Sequence, residues 1–345
     1  MADSSHRQSD RQSREPPLTP DDSLPPVEPP NAAFLVQLFL VPGLIVAIIV
    51  CVWLAFHWLA HLGNDPQAYV RTLRRDNEGR WQAALNLAND LRGPGGAALK
   101  SDEALATELG RILTDEAASG RTGEQSQTLR VYLCRALGEF TIPAAAAPLV
   151  ARVEATADPQ TARAAVEALS VLATNLVAAG RGFEDPAAVS AAVLTSSRSD
   201  DVPLRSAAAF TLGVIGGTAA TERLVQLCGD AADDVRYNAA LGLARLGSPD
   251  AIEPLGEMLA LPDIPPPAGP VDEVAQSKRY KRALIVVNAL RGVALLVDAT
   301  HEPPPRNVID RVSALEKDPV ADVRSSAVAV ARKIERLSSG EKPVP

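Results

Sequence analysis

Arg236-Tyr237-Asn238-Ala239-Ala240-Leu241-Gly242-Leu243-Ala244 decides how this chain folds, because it occurs more than once. Arg80-Trp81-Gln82-Ala83-Ala84-Leu85-Asn86-Leu87-Ala88 matches it at six of nine positions, and the remaining pairs include Trp/Tyr and Gln/Asn. A third copy, Arg205-Ser206-Ala207-Ala208-Ala209-Phe210-Thr211-Leu212-Gly213, starts 31 residues before Arg236. A fourth keeps Asp322-Val323-Arg324, the counterpart of Asp234-Val235-Arg236, and weaker copies start near Gln127 and Thr161. Apolar residues recur at three and four, the spacing of a helix face. A period of about 30 residues marks a solenoid of helical pairs, none of which could bury its apolar face alone.

The residue types within the repeat have physical reasons. Alanine pairs let neighbouring helices approach closely, and leucines at five and seven after the arginine are expected to fill the core between them. Gly216 and Gly247 stand where helices end, since glycine takes the left-handed cap conformation. Asp65-Pro66, Asp158-Pro159, Asp185-Pro186, Ser248-Pro249 and Asp318-Pro319 read as capping side chains followed by proline at the first helical position. Pro203 interrupts the Arg205 copy near its start, and residues 261–270 form an irregular, proline-rich insertion.

These residues resemble the HEAT-like repeats, in the short form shared with bilin lyases. That pattern runs Asp-x-Val-Arg-x-x-Ala-Ala-x-Ala-Leu-Gly, then a second helix with spaced leucines. Residues 234–247, followed by Ile252, Leu255 and Met258, fit it best. The resemblance implies an all-α, α-α superhelix over residues 63–337, with residues 338–345 a short tail. It is weak for activity, because such repeats serve many functions.

Outward from the repeats lies a second element. No residue between Asn31 and Gly63 is charged, and Leu38–Phe56 is nineteen residues of almost unbroken hydrophobicity. At about 1.5 Å per residue it spans roughly the 30 Å hydrocarbon core of a bilayer. Residues 32–62 are therefore expected to form one transmembrane helix. Aromatic Phe34 and Phe39 flank one end, and Trp53 and Trp58 the other. A cleaved signal peptide usually has a shorter apolar region and a small-x-small cleavage site after it. Arg71, Arg74, Arg75 and Arg80 follow the span closely, whereas the twenty residues before Ala32 hold only Arg14. The more basic flank stays in the cytoplasm. The expected arrangement is single-pass in the cell (inner) membrane, with the repeats cytoplasmic. Residues 1–31 are rich in Pro and Ser and are expected to be disordered.

Residues 1–30 hold six acids and three arginines, net −3, which leaves −5 of the total −8 to the rest of the chain. A mildly acidic repeat domain argues against nucleic acid as a partner, which needs a basic footprint. Of three cysteines, Cys51 lies in the span and Cys134 and Cys228 stand apart, with no CxxC, as suits a reducing compartment.

No catalytic or cofactor motif is present: there is no GxSxG, phosphate-binding glycine loop, HExxH or kinase signature. HEAT-like proteins with a di-iron centre look to use His-Glu pairs on several repeats. Here His301-Glu302 is one pair, and the other histidines are His6, His57 and His61, so no cofactor or metal is expected. Arg80, Arg205, Arg236 and Arg324 recur in register, either as a row of surface cations or as an internal ladder paired with acids such as Asp201, Asp234 and Asp322. Lys278-Arg279-Tyr280-Lys281-Arg282 is the one dense basic cluster, and Lys278, Arg279, Lys281 and Arg282 are candidate contacts for anionic lipid or an acidic partner. The alternative is the wet end of a long helix. Trp81 and Tyr237, equivalent in the repeat, are candidate anchors on a binding face, or else pack against the next repeat. The function this supports is a membrane-anchored scaffold binding another protein along the concave face. The alternative from another class is a bilin-lyase-related enzyme or chromophore-handling protein.

Overall fold

A computed structural model describes residues 32–61, 66–75, 77, 79–155, 157–264 and 273–338. Residues 1–31, Asp65, residues 265–272 of the proline-rich insertion, and residues 339–345 lie outside it, with the expectations that fall on them. The regular structure of the described residues is entirely helical, with no strand among them. The helices are α1 (Ala32–His61), α2 (Pro66–Arg74), α3 (Arg80–Arg92), α4 (Ala97–Lys100), α5 (Glu103–Ala118), α6 (Glu124–Gly138), α7 (Ala146–Val153), α8 (Pro159–Ala178), α9 (Pro186–Ser196), α10 (Val202–Ile215), α11 (Thr218–Leu227), α12 (Asp233–Arg245), α13 (Ile252–Leu259), α14 (Glu273–Thr300), α15 (Arg306–Leu315) and α16 (Ala321–Ser338).

The chain divides into two compact units, residues 1–62 and 63–345. In the first, α1 is one continuous helix that carries Pro42 within it, and no residue of its Leu38–Phe56 window is buried. It is long and apolar enough to cross a membrane. α14 passes the same test of length and composition, but Val286, Leu290, Val293 and Val297 pack into the solenoid.

The second unit is a HEAT-like α-solenoid of two layers. Helices α3, α6, α8, α10, α12, α14 and α16 stack in one layer, each on the next, and α2, α5, α7, α9, α11, α13 and α15 form the other. Packing is closer in the first layer. The cause is side-chain size. Ala83-Ala84, Ala208-Ala209 and Ala239-Ala240 are buried, and a Cβ on Gly213 would lie 2.3 Å from the Gly242 Cα. Likewise a Cβ on Gly138 would meet the Ala168 carbonyl at 2.9 Å.

The core between the layers is leucine. Leu87, Leu212 and Leu243, at seven after the repeat arginine, are completely buried. Each such side chain contributes about 1.5–3 kcal/mol relative to exposure. The position at five differs from expectation: Leu85 and Leu241 are half-buried and Phe210 is exposed. That position faces along the layer rather than between the layers: Leu241 meets α14 beside Gly292, and Phe210 borders a cleft.

The helix boundaries follow the capping logic. Asp158, Asp185 and Asp201 accept hydrogen bonds from the amides of Thr161, Ala188 and Leu204 at 3.1, 2.9 and 2.7 Å. Gly216 and Gly247 take φ of +69° and +72°. Pro203 does not break its repeat, because it sits in the first turn of α10, where no backbone N–H is needed. Ser248-Pro249 opens a 3-10 turn that runs into α13, and Asp318 caps no helix, since α16 starts at Ala321. α16 ends the stack: Val323, Ala327, Val330 and Ile334 face inward, while Arg324, Arg332, Glu335 and Arg336 are exposed. It runs to Ser338, one residue past the expected end.

Gly213→Ala is expected to lower stability by about 1–3 kcal/mol, because backbone rather than a flexible side chain must move. Gly182→Ala, with nothing near its Cβ position, is expected to stay within about 0.5 kcal/mol. Chemical denaturation of both variants checks this, and equal effects would contradict the close-approach account.

Candidate functional site

The recurring arginines resolve into an internal ladder. Arg80 pairs with Glu116 at 2.8 Å, Arg130 with Asp158 at 2.8 Å, Arg205 with Asp230 at 2.7 Å, and Arg282 with Asp318 at 2.6 Å. Arg236 joins Glu257 at 2.8 Å and Asp233 at 3.0 Å. The acids differ from those the sequence suggested. Asp201 caps its own helix, Asp234 meets Lys281 at 3.4 Å, and the pairing carboxylates mostly come from the second helix of the repeat or the loop after it. Each arginine also reaches back to a loop carbonyl: Arg205 to Ser199 at 2.6 Å, Arg236 to Asp230 at 3.1 Å, Arg324 to Asp318 at 2.7 Å. One guanidinium thereby ties a helix to the connections on either side of it.

The basic cluster divides for the same reason. Arg282 is buried against Asp318 and cannot touch lipid or a partner. Arg279 is half-buried three residues earlier on the same stripe, whereas Lys278 and Lys281 are exposed, and Lys281 is held by Asp234. Tyr237 is also corrected as an anchor: it is 7 % exposed, beneath the Arg236 guanidinium at 5.7 Å. Trp81 is half-buried and stacks on Tyr132 with ring centroids 6.4 Å apart. These six positions do not form one site.

A site that the sequence did not single out lies on the first layer, where two clefts meet. One, of about 430 Å³, runs between α6, α8 and α10 and is bordered by Val131, Arg135, Gln160, Arg163, Glu167 and Pro203. The other, of about 380 Å³, continues over α8, α10 and α12, sharing Arg163, Glu167 and Pro203 and adding Ser206, Phe210 and Asn238. Together they make a shallow groove across four helices. Arg163 and Glu167 pair at 2.8 Å in its middle, and Asn238 donates to the Ser206 hydroxyl at 2.8 Å. Arg135, which borders the first cleft, has its guanidinium 5.3 Å from the Tyr132 ring, and Arg245, which borders neither cleft, lies 5.3 Å from the Phe210 ring. The signal available in sequence was Phe210, an aromatic ring where the Arg80 and Arg236 copies carry leucine. Among the described residues no group of three or more His, Cys, Asp or Glu side chains is arranged to hold a metal ion. His301 is exposed just past α14, at φ +54°.

Residues 189–265, which run from α9 to past α13, match the family model for HEAT repeats. No curated protein matches the chain. Among solved structures it is similar to human deoxyhypusine hydroxylase in complex with glycerol, at 18% identity, covering 79% of this chain and 96% of that one, with a TM-score of 0.32.

Two predictions rest on the ladder. Asp318→Ala leaves the Arg282 guanidinium buried without its carboxylate and is expected to cost about 3–5 kcal/mol, read by denaturation against the exposed control Arg306→Ala. The second concerns acid. The hydrogen bond from Arg205 holds Asp230 below the usual carboxylate range despite burial. Burial pushes Glu116 up, but Ser126 and Arg80 outweigh it, and Asp158 is lowered against burial by Thr161, Gln127 and Arg130. Groups with depressed folded pKa values stabilise above their unfolded values and lose that stabilisation as pH falls. The melting temperature is expected to hold from pH 7 to about 5 and to drop below about pH 4. A melting temperature unchanged at pH 3 would contradict this.

Proposed function

We propose that this chain is a membrane-anchored adaptor: α1 crosses the membrane once, and the cytoplasmic solenoid binds another polypeptide along the groove of α6, α8, α10 and α12. The observation that carries the reading is the groove itself. It is open and long rather than deep, and it presents an exposed phenylalanine and a ring-stacked arginine, residue types enriched in protein interfaces. Repeat stacks offer such extended concave surfaces without the convergent geometry that catalysis needs. The anchor is supported by the uncharged, unburied apolar window of α1, and the orientation by the arginines that follow it.

A photo-crosslinking amino acid in place of Ser206, in the full-length chain in its native membrane, is expected to yield one dominant polypeptide adduct. The same group in place of Arg306, in the other layer, is expected to yield none. Equal labelling, or no labelling from Ser206, would sink the adaptor reading. Protease added outside cells stripped of their outer wall is expected to spare the solenoid, and its digestion there would reverse the orientation.

A further inference from the structure

A separate cavity is bordered by the α8–α9 and α10–α11 connections and shares no residue with the groove. It is a notch of about 460 Å³, within the roughly 300–1,000 Å³ range of small-molecule sites. Its lining is apolar: Leu176 and Val189 are buried, Phe183, Val214 and Ile215 are half-buried, and Val177 is exposed. At 75 % exposure Val177 is the most exposed large apolar side chain among the described residues, those of α1 included. Covering such surface is favourable.

Only two side chains of the lining are polar, Arg181 and Ser190, and no carboxylate borders the notch. Asp185, next to it in sequence, is turned to the Ala188 amide at 2.9 Å, where it caps α9. Arg181 is held in place twice. Gly180, at φ +67°, lets the chain turn at the end of α8, so that the Arg181 amide donates to the Leu176 carbonyl at 2.8 Å. Its guanidinium donates through Nη1 to the Thr141 carbonyl at 3.0 Å and has no ion pair among the described residues, which leaves N–H donors to spare. Ser190, half-buried on α9, has a hydroxyl with no hydrogen-bond partner among the described residues.

We infer that the notch binds a small amphiphile of the fatty-acid class, an apolar chain ending in one carboxylate. The chain covers Leu176, Val177, Phe183 and Ile215, and the carboxylate accepts from Arg181 and Ser190. One cation without a neighbouring acid selects a single negative charge. The apolar walls exclude a sugar or nucleotide, whose hydroxyls would be left unpaired against valine and isoleucine. The inference does not depend on the adaptor reading, because none of these residues borders that groove.

The test exposes the full-length chain in nanodiscs to octanoic acid carrying a diazirine near its methyl end, with labelled residues read by mass spectrometry. Label is expected within residues 173–190 and 214–217. It is expected to be lost in Ala187→Trp, which fills the notch from an exposed position on α9, and to persist in Arg306→Gln. Arg181→Gln is expected to weaken labelling at least about tenfold. That change also removes the contact with Thr141, so competition on the unaltered chain gives an independent reading. Octanoate is expected to compete at least about tenfold better than octanol, and each methylene from hexanoate to octanoate to add about fourfold. Octanol competing as well as octanoate would overturn the carboxylate seat. Label confined to α1, or spread evenly over the solenoid, would overturn the site. An apolar peptide with a free C-terminal carboxylate that competes better than octanoate would assign the notch to a polypeptide and overturn the fatty-acid ligand.

Discussion

The backbones of α10 and α12 approach so closely at Gly213 and Gly242 that neither residue has room for a Cβ without displacing its neighbour. Much else in the solenoid depends on that spacing. Small residues in one layer shorten the distance between its helices, while the other layer is more loosely packed. Close stacking brings positions of α6, α8, α10 and α12 together, so that side chains from four helices border one groove. The leucines that would otherwise crowd the layer are turned to the interface between layers, where Leu87, Leu212 and Leu243 are completely buried.

The arginine ladder answers a different need. A solenoid repeats its connections as well as its helices, and each connection leaves backbone carbonyls that need donors. Arg205, Arg236 and Arg324 each supply one to the loop before their helix. The same guanidinium of Arg205 or Arg236 holds an acid from a later segment, so local caps and non-local ion pairs share one side chain. Buried pairs such as Arg282–Asp318 are worth little over an apolar replacement but are costly to break on one side, which makes them effective at fixing register.

How much was legible varied with the distance over which each feature is decided. Period, helix type, glycine caps and the aspartate caps of α8 and α9 are local, and they appear in the structure as read. The ladder was legible as a ladder, but its acids were not: which carboxylate meets Arg205 depends on where the loop after α11 returns, not on the repeat motif. The basic cluster read as one patch because its residues are consecutive. On a helix they point in different directions, and the stripe through Arg279, Arg282, Val286 and Val293 turns inward while Lys278 and Lys281 stay out. Tyr237 and Trp81 share a motif position yet differ in burial, since α12 has a neighbour on both sides within its layer and α3 has only α6.

By itself, the sequence determined an all-α repeat array and one uncharged apolar helix of membrane-spanning length, because residue spacing, cap chemistry and the run of apolar residues act over a few turns of chain. Only the tertiary structure decided which arginines are neutralised and which are left facing outward. Arg135 and Arg245 lie far apart in sequence, on different repeats. Stacking of the intervening helices brings Arg135 to the same groove as Phe210, over whose ring Arg245 lies, and a pattern read along the chain carries no record of that meeting.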